Sequence, residues 1–144
     1  MSGARCFARF VNILHQSAGD TSRSQKLGPY EIQSLIPVEE EGAMTAYRVR
    51  IEPQQVTSES FHKIAEEVYF VIEGSGVAVL NDVEQAIGAG DFLRLPPGTR
   101  HRFVTQEAAL VMLDLHAPGS RPDKDVYFSG PVPEGFDVGD SFYG

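Results

Sequence analysis

From Tyr30 to His116 the chain alternates short runs rich in Val, Ile, Leu, Tyr and Phe with clusters of Gly, Pro, Asn and Asp. Runs of that length, punctuated at regular spacing, predict an antiparallel β-sandwich or barrel. Strands are expected over 30–38, 44–53, 58–64, 67–73, 76–81, 83–87, 91–95, 101–106 and 109–116. Glu73-Gly74-Ser75-Gly76 reads as a tight hairpin, because glycine reaches positive φ without a steric penalty, and Asn81-Asp82 reads as a second turn. Gly88-Ala89-Gly90-Asp91 and Pro96-Pro97-Gly98 supply further breaks. One stretch has helical spacing: Phe7, Phe10, Val11 and Leu14 fall on one face between Ala4 and Gln16. It predicts a short N-terminal helix, with a strand as the alternative. The tail changes character, combining Gly and Pro with Tyr127, Phe128, Phe136, Phe142 and Tyr143. Disordered segments are poor in aromatics, so the tail is expected to lie as a strap over the barrel or over a second subunit. The chain therefore divides into an N-terminal segment at 1–29, a barrel at 30–116 and a strap at 117–144, with no repeat and no second domain.

Composition narrows the classes. A chain of 144 residues with 42% hydrophobic and 22% charged residues is one globular domain, not a fibre, coiled coil or disordered chain. No apolar run approaches the roughly 18 residues of a membrane span. Twelve Lys and Arg against twenty Asp and Glu leave a net charge of −8. Without a basic face to displace counterions, neither nucleic acid nor an anionic membrane is an expected partner. Cys6 is the only cysteine, which excludes an internal disulfide and a Cys-based zinc site and fits a reducing compartment. Arg9 interrupts the short apolar stretch from Phe7 to Leu14, so a secretory leader is not expected and the cytoplasm is.

The chemistry lies in the histidines. Strand side chains alternate with period two. Ser60 and His62 share one face, Glu67, Tyr69 and Val71 another, and His101, Phe103 and Thr105 a third. If those faces look into one barrel, His62, Glu67 and His101 converge. Two neutral imidazoles and a carboxylate suit one divalent transition metal per chain (Fe, Mn, Ni, Co or Zn) and leave positions open for substrate. Glu66 is the alternative carboxylate, but its parity points it to the opposite face. Metal retention is expected to weaken below about pH 6, because imidazole must be neutral to ligate.

The spacing around these residues resembles the two motifs of the cupin superfamily. Ser60-Phe61-His62 stands in the first motif's His-x-His slot; four residues later comes Glu67, and six residues after that Gly74. Gly90, Pro96-Pro97-Gly98, His101 and Thr105 follow the spacing of the second. The chain departs from the pattern twice: Ser60 replaces the first histidine, and Thr105 replaces the closing asparagine. The resemblance implies an all-β jelly-roll barrel of two packed antiparallel sheets and a homodimer. It further implies a metal site at His62, Glu67 and His101, where Ser60 is a poor ligand but can hydrogen-bond a metal-bound water. The function it implies is that of a metal-dependent enzyme on a sugar, sugar phosphate or organic acid, using Lewis-acid isomerase, epimerase or lyase chemistry or Fe(II)-dependent oxygenase chemistry. The competing class is a non-catalytic small-molecule-binding module with a degenerate or empty metal site.

Around this centre, Glu67, His116 and Tyr69 are candidates for proton transfer, His116 because it titrates near neutrality. Arg48 and Arg50 share a strand face opposite Tyr47, Val49 and Ile51. If the arginine face looks inward, it supplies bidentate partners for a substrate carboxylate or phosphate. Ser60 and Phe103 are further candidates for substrate contact. His15 has no supporting context.

Overall fold

The structure, a computed structural model, describes residues 13–17, 19–20, 22 and 24–135. Most of the expected N-terminal helix, together with Cys6, Phe136, Phe142 and Tyr143, falls outside the described residues; residues 13–17 carry no regular element. Ten strands follow: β1 (Ser24–Leu27), β2 (Tyr30–Ser34), β3 (Thr45–Ile51), β4 (Ser60–Phe61), β5 (Glu66–Leu80), β6 (Val83–Gly88), β7 (Phe92–Leu95), β8 (His101–Val104), β9 (Leu110–Ala117) and β10 (Tyr127–Phe128). A 3₁₀ turn, Val38–Glu40, is the only helical element among the described residues. No helix in them is long and apolar enough to cross a membrane.

Every strand pair is antiparallel. β5 organises the molecule by belonging to two sheets in turn. Its first half lies between β9 and β7, and β9 continues outward through β3, β2 and β1. Its second half lies between β6 and β8, and β8 continues through β4 to β10. The two sheets close over a core of Val49, Ile51, Tyr69, Val71, Ala78, Ile87, Leu95, Phe103, Leu110 and Met112. This is the all-β barrel predicted by the strand pattern, in the jelly-roll form that the resemblance implies.

The corner within β5 corrects the expected hairpin at Glu73–Gly76. The strand does not reverse there; it bulges between Val71 and Glu73 and continues as one 15-residue element. Gly74 has φ +85°, and a Cβ on it would stand 1.7 Å from the Ala109 carbonyl oxygen. Glycine serves here to let β5 bend against β9, not to turn it back. The Asn81-Asp82 turn does form, with φ of 48° and 70°, both positive as the tight two-residue hairpin requires.

Several boundaries differ, three of them with a clear local cause. The strand expected over 58–64 keeps only Ser60–Phe61, because the backbone N–H groups of Lys63, Ile64 and Ala65 turn to the Asp125 carboxylate. The strand expected over 30–38 ends at Ser34, before Pro37, which cannot donate to a ladder. Within 1–29, Ser24–Leu27 forms a hairpin with β2 around Gly28 (φ +59°). The strap contributes Tyr127–Phe128 to the edge of β4, and Gly28 N–H donates to the Glu134 carbonyl at 2.8 Å.

Candidate metal centre and pocket

Four side chains meet at the floor of the barrel. β5 presents Glu67, β9 presents His116, β8 presents His101, and the segment following β4 presents His62. All are buried, Glu67 most deeply at 2% exposure. Register places Glu67 directly opposite His116, and Ser60 opposite His101. Glu67 Oε1 lies 3.2 Å from His62 Nε2 and 3.1 Å from His101 Nε2; Glu67 Oε2 lies 2.7 Å from His116 Nε2.

The far sides of the rings fix their tautomers. His62 Nδ1 is 2.6 Å from the Asp125 carbonyl oxygen, and His101 Nδ1 is 3.0 Å from that of Thr99. Carbonyls only accept, so both Nδ1 atoms carry the proton. His116 Nδ1 lies 3.2 Å from Thr45 Oγ1. That hydroxyl gives its single proton to the Ser120 carbonyl at 2.9 Å, so it accepts from His116 as well. Each Nε2 is thus aimed at the carboxylate, the arrangement in which outer partners orient metal-ligating imidazoles.

Glu67 Oε1 is fully buried and accepts no hydrogen bond, although two imidazole nitrogens lie within 3.2 Å. Imidazole lone pairs and a carboxylate converging in a buried site repel one another unless a cation or a proton sits among them. A donor set of nitrogen and oxygen atoms fits a first-row divalent ion. The ligand atoms of His62, Glu67 and His116 all lie within 4.8 Å of one another. His116, expected as an acid–base residue, lies in this mutual set, while His101, expected as a ligand, approaches Glu67 from the Oε1 side with its Nε2 at 3.1 Å. For Glu67, burial favours the neutral acid, but His101 and His116 outweigh it and hold the carboxyl well below the usual range. For His62, burial opposes the charge, but the adjacent Glu67 carboxylate raises it above the ordinary imidazole value.

Above the floor lies a cavity of about 100 Å³. Tyr69 and Ser60 line it, as strand parity predicts. Phe103 does not: it is fully buried beneath, its ring centroid 5.0 Å from that of Tyr69, and acts as core. Arg48 and Arg50 are corrected too. Tyr47 and Val49 take the inward face, so Arg48 is exposed and Arg50 pairs with Glu52 on the outer surface at 3.1 Å. Glu66 also faces outward, paired with Arg94. Thr105 closes a loop, donating to the Glu52 carbonyl at 2.6 Å and accepting from Gln55 N–H at 3.0 Å. His15 sits exposed on an irregular segment.

Sequence reasoning missed Asp114. It is buried, lines the pocket, and its Oδ1 makes no hydrogen bond. Burial first, then the charge of Glu67, pushes its carboxyl well above the carboxylate range. The signal was present: a lone acid in the apolar run from Leu110 to Leu115, two residues before His116 and so on its face. Burial and then the Asp114 charge also raise Tyr69, and raise Tyr47 to about 12.

The cupin domain family matches residues 47–116, the span from the inward-facing wall of β3 to His116. Among curated proteins none matches this sequence. Solved structures do. A Streptomyces Pac13 variant with uridine superposes with a TM-score of 0.69 at 22% identity, covering 83% of this chain and 94% of that one; Pac13 is described as a nucleoside dehydratase. The polyketide cyclase RemF from Streptomyces resistomycificus reaches 0.63 at 22% identity, covering 74% and 80%. KdgF from Halomonas sp. reaches 0.63 at 20% identity, covering 74% and 95%. At such identities the likeness establishes the fold. The two motifs at their spacing, the sheet exchange along β5 and the matched domain lead to one assignment: residues 47–116 form a cupin domain.

Proposed function

We propose that the protein is a metal-dependent enzyme that performs lyase or isomerase chemistry on a small oxygenated metabolite. The observation that carries this reading is the aim of the imidazoles. Three rings whose Nδ1–H groups are tied to protein acceptors present Nε2 to one buried carboxylate with an unpartnered oxygen. His62, Glu67 and His116 would hold the ion, with His101 as a further donor. When bound, a divalent ion acts as a Lewis acid on a carbonyl or hydroxyl of the substrate. Thr45, Ser120 and the Asp125 carbonyl keep the rings oriented. The Tyr69 hydroxyl, which burial keeps protonated, is the donor for a substrate oxygen. The names of the dehydratase and cyclase neighbours are compatible with this class; Fe(II)-dependent oxygenase chemistry would draw on the same donor set.

One observation favours a second reading. The 2.7 Å separation of His116 Nε2 and Glu67 Oε2 is a charge-assisted hydrogen-bond length. On this reading the pair holds a shared proton without any ion and serves as a general acid, and as a general base once that proton has been given up. Elemental analysis decides between them. Protein purified without chelators is expected to hold about one Fe, Mn, Ni, Co or Zn per chain, as a closed set of neutral imidazole and carboxylate donors does. Protein that holds no transition metal and takes up none from excess zinc, while remaining folded, refutes the metal reading and leaves the metal-free one.

A further inference from the structure

We infer that this pocket takes an uncharged, ring-shaped ligand carrying a hydroxyl or N–H group, and that Asp114 Oδ1 is the acceptor that selects it. The inference rests on reading the floor as a metal centre and extends that reading to the substrate class.

The first ground is charge. Arg121 is the only Arg or Lys that lines the cavity among the described residues. It is held by acids: Nη1 donates to both Glu41 oxygens at 2.8 Å, and Nε to Asp123 at 2.8 Å. Arg48 and Arg50, which could have received a phosphate, lie on the outer face. An anionic group entering from the lip meets the Glu67 carboxylate, while the Arg121 guanidinium is turned to Glu41 and Asp123.

The second ground is shape. Tyr30, Tyr47, Tyr69 and Phe128 line the cavity together with Ile32 and Val49. Aromatic faces and branched aliphatics offer a flat ring large apolar contact. The third ground is Asp114 itself. On β9 it lies between Tyr47 of β3 and Tyr69 of β5 in the sheet register. Its Oδ1 is buried without a donor, a state that costs free energy until a donor arrives. A site built this way binds a ligand that brings a hydroxyl or N–H and rejects the analogue that lacks one.

The test uses matched pairs: uridine against uridine 5′-monophosphate, and resorcinol against 3-hydroxybenzoate. Each is titrated calorimetrically into metal-stripped and zinc-loaded protein. The uncharged member is expected to bind about ten-fold or more tightly than its anionic twin in both states. Asp114→Leu is expected to weaken that binding by a similar factor, while Asp114→Asn, which keeps a carbonyl oxygen in place, retains it; thermal melts establish that both variants are folded. Equal or tighter binding of the anions, no binding of either uncharged probe, or unchanged binding in Asp114→Leu each overturns the inference. Zinc uptake is read separately on the same samples. Zinc bound with the anion preferred removes this inference alone, whereas the uncharged twin preferred without zinc uptake upholds it and removes only the metal reading.

Discussion

Glu67 and His116 face each other across the β5–β9 ladder, register partners whose side-chain tips lie 2.7 Å apart. On the metal reading, this pairing stands in for the histidine that Ser60 replaces. The first motif has lost a histidine, and a histidine from the last long strand, outside both motifs, supplies a nitrogen to the same carboxylate.

The first prediction follows directly. His116→Ala should weaken zinc binding by at least roughly 100-fold, the upper end of what loss of even an outer partner costs. Introducing Ser60→His into the same chain should restore part of that affinity, because residue 60 lines the same pocket. Competition with a chromophoric chelator measures both. Unchanged affinity in His116→Ala would return the site to the set His62, Glu67 and His101.

Metal should also stabilise the fold. An ion that binds only the native state adds about 2.7 kcal/mol at a free concentration one hundred times its dissociation constant. For a domain of this size that corresponds to a rise of roughly 5–10 °C in Tm. Zinc should raise the melting temperature and EDTA should reverse the rise. Acid should reverse it too, below about pH 6, because protons compete with the ion for imidazole nitrogen. A melting temperature indifferent to zinc at neutral pH would contradict the donor geometry.

Gly74→Ala tests the corner in β5. The new methyl would stand 1.7 Å from a backbone oxygen, at φ +85°. Backbone must move, and the positive φ adds strain of about 1–3 kcal/mol on its own. The expected loss exceeds roughly 3 kcal/mol, read from denaturant midpoints or from failure to accumulate folded protein. A variant of native stability would mean that the two sheets are not joined through this strand as described.

A pH prediction concerns the clasp that sets the start of β8. The Asp82 carboxylate accepts from Arg100 Nη2 at 2.8 Å and Nη1 at 3.2 Å, and Asn81 exchanges backbone and side-chain bonds with Arg100. The hydrogen bond, then the charge, of Arg100 holds the Asp82 carboxyl below its ordinary value. A depressed carboxyl stabilises above the unfolded pKa, and that contribution is lost as pH falls through the folded one. Both groups are exposed, so the effect on stability is small, and NMR is the better readout. The Asp82 titration midpoint should lie below the ~3.9 of an unstructured aspartate and return to it in Arg100→Gln. A midpoint indifferent to that substitution would show that the clasp does not form in solution.

Much of this molecule can be read along the chain. Alternation at Glu67, Tyr69 and Val71 is a local property of extended backbone, so it announced both the strand and the inward carboxylate. The same holds for Asn81-Asp82, whose turn needs only two residues able to take positive φ. Gly74 shows where local reading stops: a glycine that turns a chain and one that lets two strands approach look alike until the partner, Ala109, is known. Arg48 and Arg50 show the same limit, since period two fixes that Arg and Tyr/Val faces are opposed but not which one looks inward.

The amino-acid order by itself determined the β class, the two motifs and the candidacy of His62, Glu67 and His101, because each depends on spacing within one or two neighbouring strands. Tertiary structure alone decided that His116 joins Glu67, that Asp114 is buried beside them with no hydrogen bond to its Oδ1, and that Asp125, 63 positions after His62, holds that ring in place. Those are contacts between segments far apart in the chain, and strand register and barrel closure, not local propensity, bring them together.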